Sequence, residues 1–233
     1  MRAAVTLLTV FGRSAAPTPQ AWVWFPLVGA AIGALVGGTW WLGEEAFPAL
    51  LAAALVVVAD LAVTGMLHVD GLADTADGLL CHAEPSERLR IMRAPDVGAF
   101  GVTVVGAVLL VEVAALASQA VSVLLLISLW CASRTTVVGA AAFMEYVREG
   151  GLATLMLTRP APVWPLVALL PAAVVAGFAE GLRGVAAVAA VVVAGVVVFA
   201  LARRRIGGFT GDVLGAAIVL GQTAGLVVGA ARW

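Results

Sequence analysis

Charge is what this chain has least of. Charged residues make up 12% of its 233 positions, against about a quarter in a typical soluble domain. The hydrophobic share is 63% and the mean hydropathy is +1.09. Such a composition excludes an ordinary soluble globule and points to an integral membrane protein in contact with a lipid bilayer. Lysine is absent, all thirteen basic residues being arginine. With the Ala, Val and Gly richness, this reads as genomic base composition rather than function. No basic patch interleaved with aromatics appears, so no nucleic-acid partner is expected. The cysteines, Cys81 and Cys131, form no CxxC pair and no disulfide framework. The first apolar stretch is short and broken by Gly12 and Arg13, unlike a cleavable signal. No repeat of fixed period is visible. Residues 1–233 are therefore read as a single membrane-embedded domain.

What the chain has in abundance is long apolar runs. After a short interfacial segment (1–20), seven stretches read as membrane helices: about 22–42, 48–67, 99–118, 121–143, 163–179, 184–202 and 213–231. The fold class is all-α, a polytopic helical bundle. Trp22, Trp24, Trp40, Trp41, Trp164 and Trp233 lie near span ends, where an aromatic belt is expected. Gly29, Ala30, Gly33 and Gly37 form a stripe that lets a neighbouring helix approach closely. Residues 85–93 read as a short helix capped by Ser86. Arg2, Arg13, Arg88, Arg90, Arg93, Arg148, Arg159 and Arg203–Arg205 fall on one side of the expected membrane, and only Arg183 and Arg232 on the other. The positive-inside rule then puts the N-terminus and the three long polar loops in the cytoplasm.

The densest polar run, Leu67 to Gly78, holds Asp70, Asp74 and Asp77 at spacings of four and three. On a helix these share one face. No cation lies among them, and three like charges repel. A bound divalent cation with the oxygen ligands Mg2+ prefers is the leading compensation; a solvated acidic face is the plainer one. His68, Gly71, Gly78 and the apolar segment just before them favour the metal. His68 is a candidate base, ligand or hydrogen-bonding partner, or a structural histidine.

Two further constellations lie elsewhere. Arg134 falls inside the fourth span, where an arginine is costly. It serves function, snorkels to the cytoplasmic interface, or pairs with Asp60 or Glu112. With Arg148 it can clamp a phosphate. Gly207-Gly208-Phe209-Thr210-Gly211-Asp212 opens the last span, with Thr210 or Asp212 as cap and free N–H groups for an anion. Alone this is a glycine turn with an ordinary cap. Metal, cationic clamp and backbone cradle together suit phosphoryl or nucleotidyl transfer. One composite site requires Asp212 to stand within about 8 Å of the 70–77 cluster, the reach of two metal–oxygen bonds and a bridging water.

His68-Val69-Asp70-Gly71-Leu72-Ala73-Asp74-Thr75-Ala76-Asp77-Gly78 resembles the signature of the cobalamin synthase family, the adenosylcobinamide-GDP ribazoletransferases. The likeness continues through Phe25–Gly29, Ile91–Arg93, Gly98, Phe100-Gly101, Ser133-Arg134, Tyr146, Arg148, Gly151-Leu152, Gly207-Gly208 and Thr210–Ala216. The chain departs from the family pattern at Ala94, Pro95, Glu112, Val219, Gln222 and Asp60. The resemblance implies an Mg2+-dependent enzyme of the bacterial cytoplasmic (inner) membrane, its active site facing the cytoplasm. It implies transfer of alpha-ribazole, or its 5'-phosphate, to adenosylcobinamide-GDP with release of GMP. Asp70, Asp74, Asp77 and Asp212 would be metal ligands. His68, Asp74 and Arg134 would be catalytic, and Tyr146, Arg148, Gly208, Thr210 and Gly211 would bind substrate phosphate. Assembly into a homo-oligomer stays open. Competing readings are another membrane phosphotransferase or prenyltransferase acting on a diphosphate, and a cation or cofactor transporter built on Asp60, Glu112 and Arg134.

Overall fold

All seven apolar stretches contain helix in the structure, a computed structural model that describes residues 1–12, 18–148 and 161–232. Arg13, Gly151, Leu152, Arg159 and Trp233 lie outside the described residues. The helices are α1 (Arg2–Leu8), α2 (Phe25–Ala46), α3 (Ala49–Thr64), α4 (Leu67–Leu80), α5 (Pro85–Ile91), α6 (Ala99–Ala117), α7 (Val123–Phe143), α8 (Leu169–Glu180), α9 (Leu182–Ile206) and α10 (Gly211–Gly229). Short 3-10 turns, Pro19–Trp24 and Trp164–Ala168, lead into α2 and α8. Among the described residues the one extended pairing is an isolated parallel bridge between Tyr146 and Phe209.

Of the seven expected spans, helix length and composition support five to six. Among the described residues five helices are long and apolar enough to cross a bilayer: Pro19–Ala46, α6, α7, α9 and α10. A sixth arises only if α3 and α4, bent by 91°, are taken as one. The bend has a local cause. Gly65 (φ 61°) closes α3 in the left-handed conformation and Met66 (φ 60°) repeats it, so the chain turns a corner. A left-handed non-glycine residue costs of order 1–3 kcal/mol; here the Met66 N–H donates to the Leu61 carbonyl at 2.9 Å. We read the 14-residue, amphipathic α4 as lying across the end of the bundle rather than spanning it. The stretch expected at 163–179 is Trp164–Glu180, only 17 residues long. Pro165 opens it as a 3-10 turn, and Gly181 (φ 63°) ends it.

Lipid tails are as apolar as side chains, so close packing rather than water exclusion joins these helices. The glycine stripe of α2 meets α7 as its sequence suggests. A Cβ at Gly29 would lie 2.4 Å from the Trp130 carbonyl oxygen, and one at Gly33 2.6 Å from that of Leu126. Trp22 and Trp40 correct the aromatic-belt expectation, for both are wholly buried in the core, while Trp41 and Trp164 are exposed. Central to the bundle is α10, packed on α4, α6, α7 and α9. The short helix after α4 begins with Pro85 at its first turn, and Glu84 rather than Ser86 is the capping position. Its buried Arg88 donates through Nη1 to the carbonyls of Gly78 and Leu79, both at 2.9 Å. That cation satisfies the end of α4, where the helix dipole is negative.

Candidate active site

The site begins with two glycines that let backbones touch. A Cβ on Gly71 of α4 would lie 2.8 Å from the carbonyl oxygen of Asp212 and 3.0 Å from its Cα. The first turn of α10 therefore rests on the acidic helix, and the separation required of a composite site is met. Gly215, one turn further along α10, packs on the backbone of His68. The second glycine is Gly208. A Cβ there would collide with the Glu145 carbonyl, at 2.2 Å. Its absence lets residues 145–147 lie beside the turn at 207–210. Phe209 N–H donates to Glu145 O (2.9 Å), and Val147 N–H donates to Phe209 O (3.0 Å). The rings of Tyr146 and Phe209 meet edge to face, 5.6 Å apart. This pinning delivers Arg148, whose Nη1 donates to Asp212 Oδ2 at 2.8 Å.

Thr210 is the cap of α10: its Oγ1 accepts from Val213 N–H at 3.3 Å and donates to Asp212 Oδ2 at 3.2 Å. Gly211 follows at the first helical position, with open space beside it. Val213 N–H is taken by Thr210, and the N–H of Gly211, beside open space, can face an anion.

The three carboxylates of α4 share a face but not an environment. Asp70 is exposed, Asp74 half-buried and Asp77 buried. Burial raises the Asp74 carboxyl to about 7; the negative charges of Asp212, Asp70 and Asp77 push the same way, against the opposing pull of Arg148. Asp77 has protein partners instead. Its Oδ2 accepts from Gly98 N–H (2.7 Å) and its Oδ1 from Gly101 N–H (2.9 Å), capping the start of α6. A carboxylate has about four acceptor positions, so two remain.

Among the described residues no three His, Cys, Asp or Glu side chains converge tightly enough to hold a metal ion by themselves. That suits Mg2+, which typically takes one or two carboxylates and completes its octahedron with water and substrate phosphate. The hard-oxygen donors around α4 and α10, with a carboxyl already raised by its acidic neighbours, fit such an ion.

His68 is buried on α4, and its Nδ1 has no hydrogen-bond partner. Burial and the charge of Arg134 hold the ring well below the usual histidine range, hence neutral. Arg134 itself is fully buried in α7. Its Nη1 donates to Ser133 Oγ (3.1 Å). With the Gln222 amide oxygen turned toward it, Nη1 also donates there at 2.6 Å. The structure thus brings Asp70, Asp74, Asp212, Arg148, Thr210, Gly208, Gly211 and Tyr146 to one end of the bundle. Arg134 stands behind them in the interior. Sequence reasoning missed the cavity beside Asp70 and Asp212, walled by residues of α1, α2, α4, α7 and α10; no single segment carries a signal for it.

A polytopic helical membrane protein with an acidic, arginine-bordered site at one end is the class that fold and site define. The chain belongs to the cobalamin-5-phosphate synthase family, whose model matches residues 1–230, and so to the enzymes of late cobalamin biosynthesis. It is 37% identical over 217 residues to the adenosylcobinamide-GDP ribazoletransferases of Brucella ovis, Brucella canis and Brucella suis, covering 87% of this chain and 82% of each relative. No solved structure matches it.

Proposed function

We propose that this protein is an Mg2+-dependent membrane transferase joining alpha-ribazole, or its 5'-phosphate, to adenosylcobinamide-GDP with release of GMP. The observation that carries the reading is the Gly71–Asp212 contact, which gathers Asp70, Asp74, Asp212 and Arg148 at one point in a chain of this family. An acceptor oxygen forms a bond to the phosphorus that bears cobinamide. The bond from that phosphorus to the GMP oxygen breaks, and the acceptor hydroxyl, where it is the nucleophile, loses its proton. Bound Mg2+ supplies neutralisation of the diphosphate and of the departing GMP.

Asp70, Asp74 and Asp212 would hold that ion, with Asp77 braced behind them on the N–H groups of α6. Arg148 is placed to exchange its contact with Asp212 for a substrate phosphate. The open first turn of α10, at Thr210 and Gly211, offers N–H groups to the same phosphates. Gly208 and Tyr146 keep that turn and the Arg148 loop in register. His68 supplies a neutral polar contact, and Arg134, reaching the site through its neighbours, is a positioning residue. The arginine distribution supports a cytoplasm-facing site in the bacterial inner membrane.

The test is an assay of the purified protein with adenosylcobinamide-GDP, alpha-ribazole and Mg2+. A cobalamin product that disappears on chelation is expected. No product, with a competent control enzyme alongside, would sink the reading.

A further inference from the structure

The cavity beside the acids measures about 230 Å³. Its walls are mostly apolar, with Leu8 from α1, Phe25 from α2, Val137 from α7 and Ile218 from α10. Its polar lining is confined to His68, Asp70 and the Gly211-Asp212 turn. Two of these, Asp70 and Asp212, are the carboxylates assigned above to the diphosphate platform. The third polar side chain, His68, is buried and lacks a partner at Nδ1. The ring lines the cavity while Nδ1 itself is closed to water, so a turn of the ring would present Nδ1 to a ligand and repay the roughly 1–3 kcal/mol that an unpaired buried polar atom costs.

The size and lining discriminate among the groups the proposed reaction brings. A corrin ring is far too large. Guanine and adenine carry several donors and acceptors, which an apolar cavity with one buried polar side chain would leave unpaired. The benzimidazole of a ribazole is flat and apolar, and it has one ring nitrogen free once the other bears the sugar. One buried histidine nitrogen matches one ligand nitrogen. A base seated against Val137 and Ile218 would direct its ribose to the Asp70–Asp212 edge, where the phosphorus must be attacked.

Resting on the transferase reading, we infer that this cavity is the binding site for the planar apolar base of the ribazole acceptor, with His68 as its buried polar contact. The first helix, α1, then forms part of the acceptor site through Leu8.

The experiment has two arms. In full-length Val137→Cys protein in detergent, alkylation at position 137 is followed by peptide mass spectrometry, which separates it from Cys81 and Cys131. Benzimidazole should slow it at least about fivefold, and guanosine and adenosine should not. No protection by benzimidazole, or equal protection by guanosine, overturns the inference. So does protection by added phospholipid alone, which would mark an acyl-chain pocket. In the second arm, Ile218→Trp, which fills the cavity, should raise KM for alpha-ribazole at least about tenfold and leave KM for adenosylcobinamide-GDP within about twofold. An unchanged ribazole KM, or equal rises for both substrates, overturns it. The first arm needs no turnover. A wild type without transferase activity would therefore defeat the proposed function, while protection at position 137 still decides the cavity.

Discussion

Two regions of this molecule use the same kinds of residue to opposite ends. At the α4–α10 contact, carboxylates outnumber cations. Among the described residues Arg148 is the cation that Asp74 and Asp212 feel, and Asp74 is pushed up to about 7. Deeper in the bundle, polar groups from four helices answer one another. Asp60 of α3 accepts from Trp130 Nε1 of α7 at 2.7 Å. Glu112 of α6 accepts from Thr223 Oγ1 of α10 at 2.8 Å. Gln222 of α10 faces Arg134 of α7. Three of the departures from the family pattern, Asp60, Glu112 and Gln222, belong to this interior set. The lesson is that carboxylates in excess of cations mark the working end, whereas hydrogen bonds passed between helices mark the scaffold, even though Arg134 Nε and Nη2 stay unpartnered there.

The comparison breaks most visibly at Asp74. Asp74→Asn should lower turnover by about a thousandfold, the scale of losing a group that acts on developing charge, with membrane insertion and thermal stability retained. Near-wild-type turnover would remove Asp74 from the site. The interior should answer in the opposite way. Asp60→Leu removes one acceptor of Trp130 Nε1, the Gln222 oxygen remaining, and leaves the Arg134 charge without that carboxylate. It should cost about 3 kcal/mol of stability, read as a lowered Tm in detergent, with KM for both substrates nearly unchanged.

Asp77 tests the border between the two regions. Asp77→Ala removes both contacts at the start of α6 and should destabilise by about 2 kcal/mol. Asn keeps one acceptor oxygen where Asp has two, so Asp77→Asn should recover about half of that stability, one of the two N–H groups being left without an acceptor. If its activity returns as well, Asp77 is a brace and not a ligand. The smallest effect concerns pH. The Asp74 carboxyl is raised from 3.8 to about 7 in the folded protein. Its contribution to stability is therefore present in full below about pH 4 and is lost as the pH climbs through about 7. A cation needs the ionised form. Stabilisation by Mg2+ should consequently grow from pH 6 to pH 8, its apparent affinity falling about tenfold for each unit below 7. Equal Tm shifts with Mg2+ at both pH values would contradict this.

Much of the working end was legible in the sequence because its signals are local. Spacings of four and three put Asp70, Asp74 and Asp77 on one helix, and Thr210 followed by an apolar run announced the start of α10. What sequence could not reveal depends on partners far along the chain. Asp77 looks like its two neighbours until Gly98 and Gly101 arrive from another helix. Trp22 and Trp40 look like interface residues by position, yet close helix packing draws both inside. Among the described residues, length and hydropathy support five to six spans rather than seven because one or two residues overrode the apolar pattern, at Gly65-Met66 and at Pro165 and Gly181.

The corner at Gly65-Met66 has a consequence for how a large substrate arrives. Had α3 run straight on, α4 would have continued along the bundle axis for about 21 Å, at 1.5 Å per residue, carrying each acid to a different depth. Turned by 91° from α3, the same helix becomes a shelf with Asp70 exposed toward its start and Asp77 buried toward its end. A bulky molecule can then settle on it sideways, sliding along the membrane surface, and need not be lowered end-on into a shaft.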